Sequence, residues 1–262
     1  FDIAYSVPFL LMSMSGVAFL EAVITTRFSN MRESDHDRAS AMFSGILDYL
    51  LAFSTSVIGI AAIFSVELTE VLAPGLDEST KREAQGLILL FMPLVVVLGV
   101  GALLSAILTA YQIPVSTEVY QLISRSVLIG GWMMFGYSPS LNQTAVSLCM
   151  FGAFGLFIMW IVFRRVTKLQ YKPGRRSAHS EIRHVLRQST GLILTSVLAQ
   201  AAIAYLRRLG SLDGVGTIAT LSYALAFIYL FSILAAKPIA LVIGPRYIRY
   251  MKVGDFISAK YV

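Results

Sequence analysis

The chain has a single cysteine, Cys149, which excludes an intrachain disulfide, and its place in an apolar run suits a packed thiol rather than a reactive one. Histidine is nearly as scarce. His36, His179 and His184 all fall in polar segments, with no spacing that would gather metal ligands. Charged residues make up only 14% of the chain, too few for a soluble domain whose helices would each carry a polar face. No phosphate-cradling glycine loop, dinucleotide fingerprint or nucleophile elbow occurs, so the sequence offers no catalytic residues, no cofactor and no metal site. The basic run from Arg164 to Arg187 lacks the interleaved stacking aromatics of a nucleic-acid surface, so nucleic acid is not an expected partner.

What is abundant is apolar length. Mean hydropathy is +0.73 and 56% of residues are hydrophobic. They are gathered into seven stretches of roughly 20 residues or more, at about 1–26, 40–68, 87–111, 116–136, 143–163, 188–207 and 217–245. Backbone in lipid must satisfy its own hydrogen bonds, and these runs lack the alternation of a transmembrane barrel, so each is predicted to be a helix. The expected fold class is all-α: a polytopic membrane helix bundle.

Basic residues set the expected sidedness. The segment after the fifth stretch carries Arg164, Arg165, Lys168, Lys172, Arg175, Arg176, Arg183 and Arg187 against one acid, Glu181, and is therefore assigned to the cytoplasm. Counting outward, Arg27, Arg32, Arg38, Arg246, Arg249, Lys252 and Lys260 fall on the same side, and the acid-rich stretch from Glu67 to Glu83 falls outside. Arg207 and Arg208, at the outer end of the sixth stretch, are the exception. The net charge of +6 is thus read as a topological signal beside an anionic leaflet.

Prolines punctuate the apolar runs and their turns, notably Pro8, Pro93, Pro114 and Pro238. Pro114 lies in a very short turn, which makes its flanking spans an antiparallel pair. Pro8 and Pro238 lie inside spans and are candidate helix breaks, a common way for transporters to open backbone groups to a cavity, although each also fits a simple packing kink. A faint echo links Ala4-Tyr-Ser-Val-Pro-Phe9 to Ser222-Tyr-Ala-Leu-Ala-Phe227, and Ile24-Thr-Thr-Arg-Phe28 to Ile243-Gly-Pro-Arg-Tyr247, as two parallel repeated lobes would require. The chain begins at Phe1 inside an apolar segment, without a methionine, and is expected to be a piece of a longer protein.

The loop Val71-Leu-Ala-Pro-Gly-Leu-Asp77, followed by Leu89-Leu-Phe-Met-Pro93 and Ala106-Ile-Leu-Thr-Ala-Tyr111, resembles the third-to-fourth helix region of the MurJ/MviN lipid II flippases. Asp2-Ile-Ala-Tyr-Ser-Val-Pro8 is similar to the second helix of that family, Gln200 to Ser211 to the seventh, and Ala240 to Arg246 to the end of the eighth. The resemblance implies part of the multidrug/oligosaccharidyl-lipid/polysaccharide (MOP) exporter fold, a V of two lobes around a central cavity. On that mapping, residues 1–165 form five helices of the first lobe, 166–187 a basic cytoplasmic linker and 188–262 the start of the second lobe. The family pattern has paired arginines where this chain has Met12 and Ser13, and another near Ala226.

A charge at membrane depth requires a cavity, a partner or a route to the interface. Arg125, about nine residues inside the fourth stretch, and Lys237, beside Pro238, are candidate contacts for a substrate diphosphate, and Arg207 and Arg208 are candidates on the exit side. Snorkelling to the headgroups is the plain alternative for Lys237, Arg207 and Arg208. Glu21 and Asp48 are candidates for ion coupling or for internal pairing with Arg125 or Lys237.

The resemblance implies a flippase of the bacterial cytoplasmic (inner) membrane, moving a polyprenyl-diphosphate-linked saccharide, lipid II or a related glycan lipid, by alternating access. It would be a transporter rather than an enzyme, with that lipid, the surrounding membrane lipids and envelope-synthesis proteins as partners. Two alternatives stand beside it: a cation-coupled drug or metabolite exporter of the related MATE branch, which would need an acidic cavity, and a non-transporting scaffold of envelope polysaccharide synthesis.

Overall fold

The computed structural model describes residues 2–14, 17–31, 36–111, 113, 140–171, 177–213 and 216–231. Among these residues every regular element is a helix: α1 (Asp2–Met14), α2 (Val17–Met31), α3 (His36–Ile63), α4 (Ser65–Leu72), α5 (Glu78–Phe91), α6 (Pro93–Ala110), α7 (Leu141–Thr167), α8 (Ser177–Leu212) and α9 (Thr217–Phe231). The protein is an all-α membrane helix bundle. Three rods are long and apolar enough to cross a bilayer, namely α3, the α5–α6 pair and α7, of 28, 33 and 27 residues. At about 1.5 Å per residue they reach roughly 42, 50 and 40 Å, beyond the ~30 Å hydrocarbon thickness.

These rods occupy the second, third and fifth expected stretches and begin before them, because hydropathy registers the apolar middle of a helix and not its polar ends, while α3 stops at Ile63, short of the expected 68, and the rest of that stretch enters α4. The α5–α6 rod begins at Glu78, nine residues before the expected start at 87. Its N-cap Asp77 accepts the backbone N–H of Thr80 at 3.2 Å and the Ser79 hydroxyl, which fixes a polar first turn. Likewise α8 runs for 36 residues from Ser177, so Arg183 and Arg187 lie on a helix. The fourth stretch, with Arg125, lies outside the described residues, as do Pro114, Lys237 and Pro238.

The centre of the bundle is α6, apolar on every side. Leu103, Leu104, Ala106, Ile107 and Leu108 are fully buried, and the helix packs against α1, α2, α3, α5 and α7. Thr25 on α2 donates its hydroxyl to the Ala106 carbonyl at 3.0 Å, a polar tie in surroundings that offer no water. Close approach depends on small residues. A Cβ at Gly99 would lie 2.8 Å from Met12 Cε and 3.3 Å from its Sδ, so the end of the Met12 side chain of α1 occupies the space that a side chain at position 99 would take.

Pro93 divides α5 from α6. It cannot donate to the Leu89 carbonyl, which instead accepts from Met92 N–H at 3.2 Å, while Val95 N–H turns to the Met92 carbonyl at 3.0 Å. The tightened turn leaves the Leu90 carbonyl accessible from the side, and the Cys149 thiol of α7 donates to it at 3.2 Å. The lone cysteine therefore packs and hydrogen-bonds at a helix kink.

The chain divides into two compact units, Phe1–Leu212 and Asp213–Val262. In the first, α8 packs against α1, α2, α3 and α4. In the second, α9 is the described element.

Candidate substrate-facing site

The helical period sorts α8 into two faces. Ile193, Ser196, Val197, Gln200, Ile203, Ala204, Arg207, Gly210 and Ser211 are buried or half-buried at spacings of three and four, the face packed on α1, α2 and α3. Leu194, Leu198, Tyr205, Leu209 and Leu212 are exposed. The adjacent arginines fall on opposite sides of this division. Arg207 is half-buried on the face that also carries Ser196, Gln200 and Ser211, whereas Arg208 is exposed beside the apolar stripe. Hydropathy cannot separate two neighbours, but the 100° step between helical residues does.

The far end of α8 meets the loop between α4 and α5. Ser211 Oγ donates to the Arg208 carbonyl at 2.7 Å and accepts the Gly75 N–H at 3.4 Å. A Cβ at Gly75 would collide with the Ser211 carbonyl, so the Pro74-Gly75 turn rests directly on the backbone of α8. This contact brings Arg207 and Arg208 to the same end of the unit as Glu67, Glu70, Asp77 and Glu78. The acid-rich loop is the setting of the two cations that depart from the basic-residue pattern. Hydrogen bonds from the Ser79 hydroxyl and from Thr80 hold the Asp77 carboxyl well below the usual carboxylate range.

At the other end of the unit, the chain leaving α7 folds back over α3. Lys168 takes a left-handed conformation (φ 55°) that ends the helix, and the buried Thr167 hydroxyl donates to the Phe163 carbonyl at 2.9 Å and accepts Leu169 N–H at 3.3 Å. Gln170 N–H then reaches Ser40 Oγ at 3.5 Å, and the Tyr171 hydroxyl donates to Asp48 Oδ1 at 2.5 Å. Beneath this strap, Phe43 and Trp160 pack on Phe163 at 4.9 and 5.6 Å between centroids. The hydrogen bond to Asp48, with smaller contributions from burial and from the carboxylate charge, raises the Tyr171 phenol above its ordinary pKa. Asp48, half-buried on α3, thus has a tyrosine partner that sequence reasoning missed, because the two residues are far apart in the chain and no periodic pattern connects them.

The remaining candidates are dispersed. Glu21 lies on α2. Pro8 is buried inside α1, which runs without interruption from Asp2 to Met14, and two residues before it Ser6 donates to the Ile3 carbonyl at 2.7 Å. No group of three or more His, Cys, Asp or Glu residues suited to a metal ion occurs among the described residues.

The family model for the lipid II flippase MurJ matches residues 1–247 of the 262. The chain belongs to the MurJ family. Neither the curated proteins nor the solved structures compared with it give a match. The MurJ family is one of membrane flippases, which agrees with the helix bundle and with three rods of membrane-spanning length. Met12, where the resemblance leads one to expect the first of two arginines, is 7% exposed and lies against Gly99 of α6. Ala226, near which the resemblance leads one to expect another, is exposed on α9. Among the described residues of this MurJ-family chain, Arg207 on α8 is half-buried, as Arg27 on α2 is.

Proposed function

We propose that this MurJ-family chain takes part in flipping a polyprenyl-diphosphate-linked saccharide, lipid II or a related glycan lipid, from the inner to the outer leaflet of the bacterial cytoplasmic membrane. The observation that carries the reading is the family match over residues 1–247 together with a helix, α8, whose packed face holds Arg207. Arg207 would hold the diphosphate through its planar fork of N–H donors, with Gln200 and Ser196 offering hydrogen bonds along the same face. Arg208, exposed beside the apolar stripe, would extend to the headgroups instead. Arg125 and Lys237 would supply the further cations that Met12 and Ser13 do not.

Alternating access would rock a first lobe, residues 1–165, against a second, residues 188–262, across the basic segment 166–187 on the cytoplasmic side. Glu21 and Asp48 are the acids through which an ion gradient or the membrane potential would act, at about 2.3 kcal/mol per charge per 100 mV. One observation favours a second reading, a non-transporting partner in envelope synthesis: the packed thioether of Met12 at a position where the family pattern carries a cation.

The test uses the full-length protein in cells depleted of their own lipid II flippase, with outward exposure of the lipid-linked precursor as the readout. Arg207→Ala is expected to lower exposure by about tenfold or more, the cost of losing a charge-assisted contact of about 1.5–3 kcal/mol, while Arg208→Ala retains it. Wild-type protein that assembles in the membrane yet restores no exposure would establish the scaffold reading. Full exposure with Arg207→Ala would remove Arg207 from the site.

A further inference from the structure

The exposed face of α7 has the form of a lipid. Met150, Phe154, Phe157 and Ile161 recur at spacings of four, three and four, and each is exposed. From Met150 to Ile161 the stripe rises about 16 Å, roughly half of the ~30 Å hydrocarbon thickness and so the depth of one leaflet. One turn beyond Ile161, on the same face, stand Arg164 and Arg165, and one turn further Lys168; all three are exposed. The Arg164 guanidinium lies 5.9 Å from the centre of the Trp160 ring, which holds it at the top of the stripe.

We infer that α7 carries a binding site for an anionic phospholipid, with one acyl chain along the Met150–Ile161 stripe and the headgroup phosphate held by Arg164, Arg165 and Lys168. Charge complementarity selects the ligand. Residues 141–171 contain no Asp or Glu, and Asp48 of α3, which meets the strap after α7, is engaged by the Tyr171 hydroxyl. A zwitterionic headgroup would bring a further cation into this crown, whereas phosphatidylglycerol brings a phosphate alone. Trp160 adds an amphipathic ring at the same level as the cations. The site rests on α7 spanning the membrane and is independent of what the protein transports.

The test is native mass spectrometry of the full-length protein titrated with phosphatidylglycerol or phosphatidylcholine. Wild type is expected to retain phosphatidylglycerol preferentially. Since each cation near an anionic surface is worth about fivefold, the triple variant Arg164→Gln/Arg165→Gln/Lys168→Gln should lose about tenfold or more of that preference. Arg82→Gln, which removes an exposed cation on α5, should leave it unchanged. A second measurement requires no change at the site. In a background with Trp132→Phe and with every tryptophan outside these 262 residues replaced, Trp160 is the sole tryptophan, and brominated phosphatidylglycerol in vesicles should quench it more than brominated phosphatidylcholine at equal mole fraction. Molar salt should erase that difference, because it shortens screening to about 3 Å. Equal retention of both lipids by wild type, undiminished preference in a folded triple variant, or equal quenching by the two brominated lipids would each overturn the site.

Discussion

Gly75→Ala is expected to loosen the α4–α5 loop from the end of α8. The added Cβ meets the Ser211 carbonyl oxygen and carbon, which are backbone atoms in the last turn of a helix and cannot swing aside as a side chain would. Relief requires the loop to withdraw, which also breaks the Gly75 N–H to Ser211 Oγ hydrogen bond. Overpacking of this kind costs about 1–3 kcal/mol and the lost bond about 0.5–1.5. The stiffer unfolded chain of an alanine variant returns about 0.4–1 kcal/mol, so the net destabilisation is about 2 kcal/mol. The assay is unfolding of the purified protein in mixed micelles, followed by circular dichroism, against two reference variants. Gly59→Ala, in an exposed stretch of α3 where an added Cβ has nothing within 4 Å, should be neutral or stabilising by up to about 1 kcal/mol. Ser211→Ala removes the hydroxyl and leaves the backbone, so it should not rescue Gly75→Ala. Wild-type stability in Gly75→Ala would refute the contact, and rescue by Ser211→Ala would show that the clash is with the side chain.

Met12→Arg, which installs the family's cation type in the packed site against Gly99, should destabilise by at least about 2.5–3.5 kcal/mol in the same unfolding assay, since the site as packed gives the charge neither room nor water. The Asp77 carboxyl, with its depressed pKa, contributes stability that is fully present above the ordinary carboxylate pKa of about 4 and is lost as pH falls through the lower folded value. Acid unfolding of Asp77→Asn, which keeps an N-cap acceptor without the charge, should therefore show a weaker pH dependence than wild type. Tyr171 has the opposite sign. Its raised pKa contributes stability below about pH 10 that is lost as pH rises through the folded value, so Tyr171→Phe should remove a late-titrating phenol from the ultraviolet tyrosinate curve.

Much of the fold could be read from composition and hydropathy. Apolar runs of membrane length dictate helices because lipid offers a backbone no other partner, whereas the central position of Pro93–Ala110 is decided by packing, since lipid would cover an apolar face equally well. The collinear motifs around Pro8, Asp77, Pro93 and Tyr111 were sufficient to indicate the family. The polar extensions of the helices were harder to see: the cap at Asp77 and the basic opening of α8 are helical through local hydrogen bonds and packing, to which a hydropathy window is blind.

The sequence by itself determined that this chain is a helical membrane protein of the MurJ family, because solvent chemistry acts on every residue of a run alike and its effect accumulates along the chain. Only the tertiary structure decided which of two neighbouring arginines faces inward, that Tyr171 serves Asp48, that Gly75 lies on Ser211, and that Met12 fills the space left by Gly99. Each of these depends on the rotation of one helix against another, and a sequence pattern fixes the period of a helix without fixing the partner that its face meets.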